Sequence, residues 1–153
     1  MLTAMDTIDS FRGEYRFLSN FYLASFVDKG GNRWATSEHY YQAQKVWMTG
    51  DAMGKIKVMN AKSPGDAKRL GEGIKPDNWY DLSLDVMREA LRYKFDQNED
   101  IKQKLLDTGD AILIEGNTWG DDFWGQVKGK GLNMLGKLLM ELRNEYRRRE
   151  GSG

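Results

Sequence analysis

The chain has 153 residues, with 23 basic and 23 acidic side chains and a formal net charge of zero. The length suits one domain with one sizeable core, and the even charge excludes the basic excess of a broad, nonspecific nucleic-acid binder. With no cysteine and a single histidine, disulfides, a thiol nucleophile and multi-Cys or multi-His metal sites are excluded as well.

Residues 1–10 are polar and unpatterned and read as a loose start. No basic segment followed by an apolar one opens the chain, and no apolar run nears the roughly 18 residues of a membrane span. A cytoplasmic protein without membrane contact is expected. Phe11 to Val27 is rich in aromatics, and Phe21–Val27 is predicted as a strand. Asp28-Lys29-Gly30-Gly31-Asn32 then makes a turn into a return strand at Arg33-Trp34.

Thr36-Ser37 offers a helix cap, and no breaker follows until Gly50, so the spacing predicts a helix over 37–49. A second helical stretch runs over 51–59. Ser63-Pro64 starts a third, ending at Gly71 or Gly73. Leu84, Met87, Leu91 and Phe95 align as one stripe and predict a long helix over 82–97. Another helix covers 100–107. Ala111–Glu115 reads as a buried strand. A last helix from Asn133 buries Leu135, Leu138, Leu139, Leu142 and Tyr146 and ends in three arginines, which suit a helix C-terminus. The expectation is a mainly α-helical chain with minor β (α+β). It comprises a loose segment 1–10, one domain over 11–149 and a flexible tail over 150–153.

Without thiols or clustered histidines, carboxylates, amides, hydroxyls, Lys and Arg must carry any chemistry. On a helix, Glu38, Tyr41, Gln42 and Lys45 share one face. That face is either solvated, with an internal Glu–Gln–Lys network, or part of a site. Glu38 falls in the first turn, where the helix dipole favours its ionised form. His39 reads as structural. Residues 116–133 hold five glycines, two tryptophans, Lys128 and Lys130 between a strand and a helix. They form either an ordinary surface loop or a loop whose backbone N–H groups meet an anion. Trp79 is either a core anchor or a platform for a base. Ser19-Asn20-Phe21 is turn chemistry or an amide aimed at a ligand. Arg88, Arg92 and Lys94 flank the long helix's stripe and are either solvated or, for any one of them, within reach of a phosphate.

Phe11-Arg12-Gly13, Phe17-Leu18-Ser19-Asn20-Phe21 and Trp34-Ala35-Thr36-Ser37-Glu38-His39-Tyr40-Tyr41-Gln42-Ala43-Gln44-Lys45 resemble the NADAR superfamily, also called YbiA-like. Phe123-Trp124-Gly125 and Gly129–Arg143 resemble its closing motif. The likeness covers residues 11–143. Leu132 departs from it, since the family often carries a Lys before the Asn; the cationic contact then shifts to Lys130. The resemblance implies a mostly helical fold and N-glycosidase chemistry on phosphorylated ribosylamino-pyrimidine intermediates of riboflavin biosynthesis. Its alternatives are removal of ADP-ribose from guanine in nucleic acid, or noncatalytic binding of ADP-ribose or a nucleotide. The balanced charge favours a small nucleotide-like substrate over nucleic acid.

Carried onto matching positions, the resemblance makes Glu38 the carboxylate that stabilises the ribosyl cation or activates water. Asp122 becomes the second carboxylate, for the sugar or the leaving group. Trp124 and Trp79 would stack on the base, and Asn20, Gln42 and Asn133 would bond the ribose or base edge. Lys45, Lys130 and the glycine-rich backbone around Gly125 would hold the phosphate. No metal and no cofactor is expected.

Overall fold

The structure is a computed structural model and describes residues 2–152. In chain order the elements are β1 (Thr7–Ile8), a 3-10 turn (Gly13–Leu18), β2 (Phe26–Val27), β3 (Arg33–Trp34), α1 (Ser37–Trp47), α2 (Ala52–Met59) and α3 (Pro64–Gly71). They continue with α4 (Trp79–Asp96), α5 (Glu99–Asp107), β4 (Ile112–Leu113), β5 (Gly116–Asn117), β6 (Gln126–Val127) and α6 (Met134–Ser152). The chain is mainly helical with minor β, as its patterning implies. It forms two compact units: Asn20–Asn98, and the two chain ends up to Ser19 and from Glu99 onward.

In the unit Asn20–Asn98, β2 and β3 form an antiparallel hairpin, with Phe26 opposite Trp34. The Asp28 carboxylate shapes its turn by accepting from Gly30 N at 2.9 Å, Asn32 N at 3.0 Å and Trp34 Nε1 at 2.9 Å. The strand predicted over Phe21–Val27 is only its last two residues. Helices α2, α3 and α4 pack on α1. Ser63 caps α3 by accepting from Asp66 N, with Pro64 in the first turn, as the sequence signalled.

Helix α4 starts three residues before the predicted Leu82, behind Asn78 in a left-handed conformation. The buried face continues to Trp79 through Ser83, whose hydroxyl is satisfied by donating to Tyr80 O at 2.8 Å. A polar residue on a buried face hid the first turn from a hydrophobic count. Lys94 corrects a second expectation. It is fully buried, with Nζ 5.1 Å from the Phe95 ring centroid and 5.8 Å from that of Tyr22. Burial pushes its pKa down to about 7.

In the other unit, the segment expected to be loose carries β1. It pairs in parallel with β4, Thr7 opposite Ile112 and Ile8 opposite Leu113. Two alternating residues are too short a signal to read from sequence. The strand expected over Ala111–Glu115 is limited to Ile112–Leu113. Helix α6 packs on β4 and α5. It buries the five predicted side chains and the guanidinium of Arg143, which donates to Thr108 Oγ1 and Ala111 O at 2.9 Å each. Helix α6 runs to Ser152, so residues 150–152 continue the helix where a flexible tail was expected; Gly153 lies outside the described residues. No helix among the described residues is long and apolar enough to cross a membrane.

Candidate active site

The N-terminus of α1 is fixed from several sides. Thr36 caps it, accepting from His39 N at 3.1 Å, a bond worth about 1 kcal/mol. The His39 ring then bridges two groups: Nδ1 lies 2.7 Å from Thr36 Oγ1 and Nε2 lies 3.0 Å from Ala61 O. A carbonyl only accepts, so Nε2 carries the proton, and Nδ1 accepts the Thr36 hydroxyl proton. The one histidine is a clamp between α1 and the segment after α2.

Asn20 is the next brace. Its backbone carbonyl accepts from Glu38 N at 3.2 Å, and its side-chain oxygen accepts from Ser37 Oγ at 2.7 Å. A 2.7 Å separation is typical of O–H···O and short for N–H···O, which supports this amide orientation. Asn20 is 8% exposed, yet its side-chain NH2 donates to no described residue. Two N–H donors are therefore held in place without a protein acceptor.

The face Glu38, Tyr41, Gln42, Lys45 is not solvated. Glu38, Tyr41 and Gln42 are 5–7% exposed. Gln42 Nε2 donates to Glu38 Oε2 at 2.6 Å, a charge-assisted bond at the short end of its range. Lys45 is half-buried and its Nζ lies 5.9 Å from the Tyr41 ring centroid. Burial lowers its pKa, against the pull of the Glu38 and Glu72 carboxylates toward the charged form. Its ammonium makes no hydrogen bond or salt bridge with any described residue. Tyr41 in turn packs on Trp79, centroids 5.4 Å apart and planes tilted 45°. Trp79 is buried, as a core anchor would be. Asn20, Glu38, Gln42, Lys45 and Trp79 thus gather around one helix face.

The other predicted residues lie in the second unit, in the glycine-rich segment. Asp121 shapes its tip, its Oδ1 accepting from Trp124 N at 2.9 Å and Phe123 N at 3.2 Å. The Trp124 ring stands edge-on to Phe123, centroids 4.8 Å apart. Gly125 is buried with its Cα against Glu115 O, where any Cβ would collide with that carbonyl. Asn133 is committed at both ends of its amide: the oxygen accepts from Glu115 N and the nitrogen donates to Leu113 O, each at 2.9 Å. It ties the start of α6 to β4. Asp122 and Lys130 are exposed, and Trp119 is 57% exposed.

Among the described residues, no three His, Asp or Glu side chains converge as metal ligands. Three contributors escaped the sequence reading. In the sequence Ser37 reads only as a cap and Gly71 only as a helix end, and no pattern points to Glu72. Each acts through tertiary packing, which periodicity does not report.

A buried carboxylate, an amide bonded to it and an uncommitted cation along one helix face suit a polar, negatively charged ligand. The NADAR domain model matches residues 9–147. The chain belongs to the NADAR family. It is 42% identical over 147 residues to the N-glycosidase YbiA of Escherichia coli strain K12, covering 92% of this chain and 89% of that protein. An N-glycosidase of Nostoc punctiforme is 44% identical over 119 residues, 74% of this chain and 75% of the relative. A riboflavin biosynthesis protein of Vibrio vulnificus is 41% identical over 133 residues, 84% of this chain but 35% of that longer protein. The NMR structure of the E. coli protein YbiA matches with a TM-score of 0.86 at 36% identity, covering all of this chain and 90% of the other.

Proposed function

We propose that this chain is a hydrolase of N-glycosyl bonds, cleaving the C1′–N bond of phosphorylated ribosylamino-pyrimidine intermediates of riboflavin biosynthesis. Residues 11–149 make up the catalytic domain, in line with the family match over residues 9–147. The observation that carries the reading is Glu38. A carboxylate is buried in the first turn of α1, bonded by Gln42, with the uncommitted Lys45 on the same face. The relatives named N-glycosidases support the reaction class, and the Vibrio relative's name supports the substrate class.

Breaking a C1′–N bond leaves positive charge on C1′ and its ring oxygen. A carboxylate facing C1′ stabilises that charge as it develops and takes a proton from the attacking water. Water oxygen bonds to C1′, the leaving nitrogen keeps the bonding electrons and gains a proton, and ribose phosphate is released with the aminopyrimidine. Glu38 performs the first role. The helix dipole supports its negative charge. Lys45 meets the phosphate, and the Asn20 NH2 group donates to a sugar oxygen. No step requires a metal or a cofactor, and the protein acts on a small nucleotide-like molecule away from any membrane.

The test is direct. The protein is incubated with a ribosylamino-pyrimidine phosphate and, separately, with ADP-ribosylated guanine, with and without chelator. Free ribose 5-phosphate from the first is expected, at a rate unaffected by chelator. Release of ADP-ribose from the second alone would replace this substrate assignment with the nucleic-acid one. Turnover lost in chelator and restored by a divalent ion would overturn the metal-free mechanism.

A further inference from the structure

Gln42 was expected to touch substrate, and the structure gives it a different geometry. Its Nε2 is spent on Glu38 Oε2 at 2.6 Å. Its Oε1 is fully buried and accepts from no group among the described residues. An orphaned buried acceptor is uncommon and carries a desolvation penalty. Rotating the amide by half a turn would not relieve it. The oxygen would then face the Glu38 carboxylate, an acceptor against an acceptor, unless Glu38 were protonated. The orphan is therefore a consequence of keeping the N–H donor turned toward Glu38 Oε2.

Gly71, at the C-terminal end of α3, makes this arrangement possible. A Cβ there would collide with Gln42 Oε1 and lie 3.2 Å from Lys45 Cε. Only the bare Cα lets α3 close over the amide oxygen without displacing it. Gly71 has no left-handed φ that would otherwise require glycine, so the close approach is the physical reason for its missing side chain.

We propose that Gln42 is a positioning residue that fixes Glu38 Oε2 through a one-way amide, and that the bare Cα of Gly71 leaves the room this orientation needs. This rests on the reading of Glu38 as the catalytic carboxylate. Gln42 then acts on the chemical step through Glu38 and contributes little to holding substrate. Steady-state kinetics separates the two roles, because a lost positioning contact lowers kcat while a lost substrate contact raises KM.

The experiment measures kcat and KM on the ribosylamino-pyrimidine phosphate for Gln42→Met, Gln42→Glu, Gly71→Ala and Glu38→Gln. Circular dichroism melts establish that each is folded. Gln42→Met is expected to lower kcat about 10- to 100-fold, with KM within about twofold of the parent. Gln42→Glu, the same shape with a second carboxylate against the first, is expected to fall at least as far. Gly71→Ala is expected to reproduce the kcat loss more weakly, though it leaves every functional group present. A raised KM with unchanged kcat in Gln42→Met would overturn the proposal and make Gln42 a substrate contact. Full activity in Glu38→Gln would instead remove the underlying assignment, a separate result from the Gln42 outcome. If Gly71→Ala fails to fold, Gln42→Met and Gln42→Glu still decide between the roles.

Discussion

Two polar regions of this molecule invite a ligand, and they differ in what their polar groups are doing. In the segment 116–133 the Asn117 and Asn133 amides and the Asp121 carboxylate are spent on nearby backbone groups. Asn117 Nδ2 donates to Asp121 O, Asp121 caps Phe123 and Trp124, and Asn133 ties β4 to α6. Along α1 the reverse holds. Gln42 Oε1 is buried without a hydrogen-bond partner, and the Asn20 NH2 and the Lys45 ammonium hydrogen-bond to no described residue, though Lys45 faces the Tyr41 ring. Richness in glycine, tryptophan and lysine marks a shaped loop. On α1 the unpaired buried acceptor adjoins a buried carboxylate and a cation, and that combination marks the site.

The largest expected effect breaks or upholds that distinction at its centre. Glu38→Gln keeps the shape and removes the charge, so kcat should fall by about 1,000-fold or more with the melting temperature little changed. Activity near the parent value would move the catalytic centre away from α1. Next comes Asn133→Ala, which removes two buried hydrogen bonds and opens a small void. It should cost roughly 3 kcal/mol of stability by denaturant unfolding, with KM of the folded protein unchanged. A KM increase without loss of stability would make Asn133 a ligand contact and blur the contrast between the regions.

Lys45→Met keeps the aliphatic stem and removes the cation. KM should rise by about 30-fold, equivalent to roughly 2 kcal/mol of binding, while kcat changes less. A substrate lacking its phosphate should show no difference between parent and variant; if it does, Lys45 has another task.

Lys94 sharpens the comparison from another side, since it is a cation more deeply buried than Lys45. Its folded pKa of about 7 lies below the ordinary lysine value. Between pH 7 and about 10 the unfolded chain therefore binds more protons, and stability rises with pH across that window. Lys94→Met removes the penalty for burying the charge. It should stabilise the protein by about 1–2 kcal/mol at pH 6–7, with the gain shrinking toward pH 10. A gain that grows with pH would contradict buried charge as its origin.

How much of this was legible in the sequence depends on the scale of the signal. Helices α1, α3 and α6 follow from caps, breakers and a long stripe. The pairing of β1 with β4 was invisible, since two residues carry no period and the partner lies over 100 positions away. The placement of Glu38, Gln42 and Lys45 on one face was also legible. Their burial was not, because the same residue types serve on a solvated helix, and only the packing of α3 and α4 on α1 distinguishes the cases. Lys94 was misread for the same reason. Gly71 read as punctuation because a missing side chain reveals its purpose only when the neighbour that fills the space is known.

The smallest effect tests the finest point. Ser37 touches no substrate in the mechanism above, yet its hydroxyl donates to Asn20 Oδ1 at 2.7 Å and so turns the amide NH2 away from α1. In Ser37→Ala that preference is lost. The amide is then free to rotate and present oxygen where its NH2 group would donate to the sugar. The first-turn bond from Glu38 N to the Asn20 backbone carbonyl survives, so Glu38 stays in place. A loss of about 1 kcal/mol, a three- to tenfold drop in kcat/KM, is expected. Asn20→Asp should lose more, because a carboxylate cannot donate in either orientation. If Ser37→Ala matches the parent while Asn20→Asp is impaired, the Asn20 amide is oriented by substrate rather than by α1. If both match the parent, the two unpartnered N–H groups of Asn20 have no part in binding.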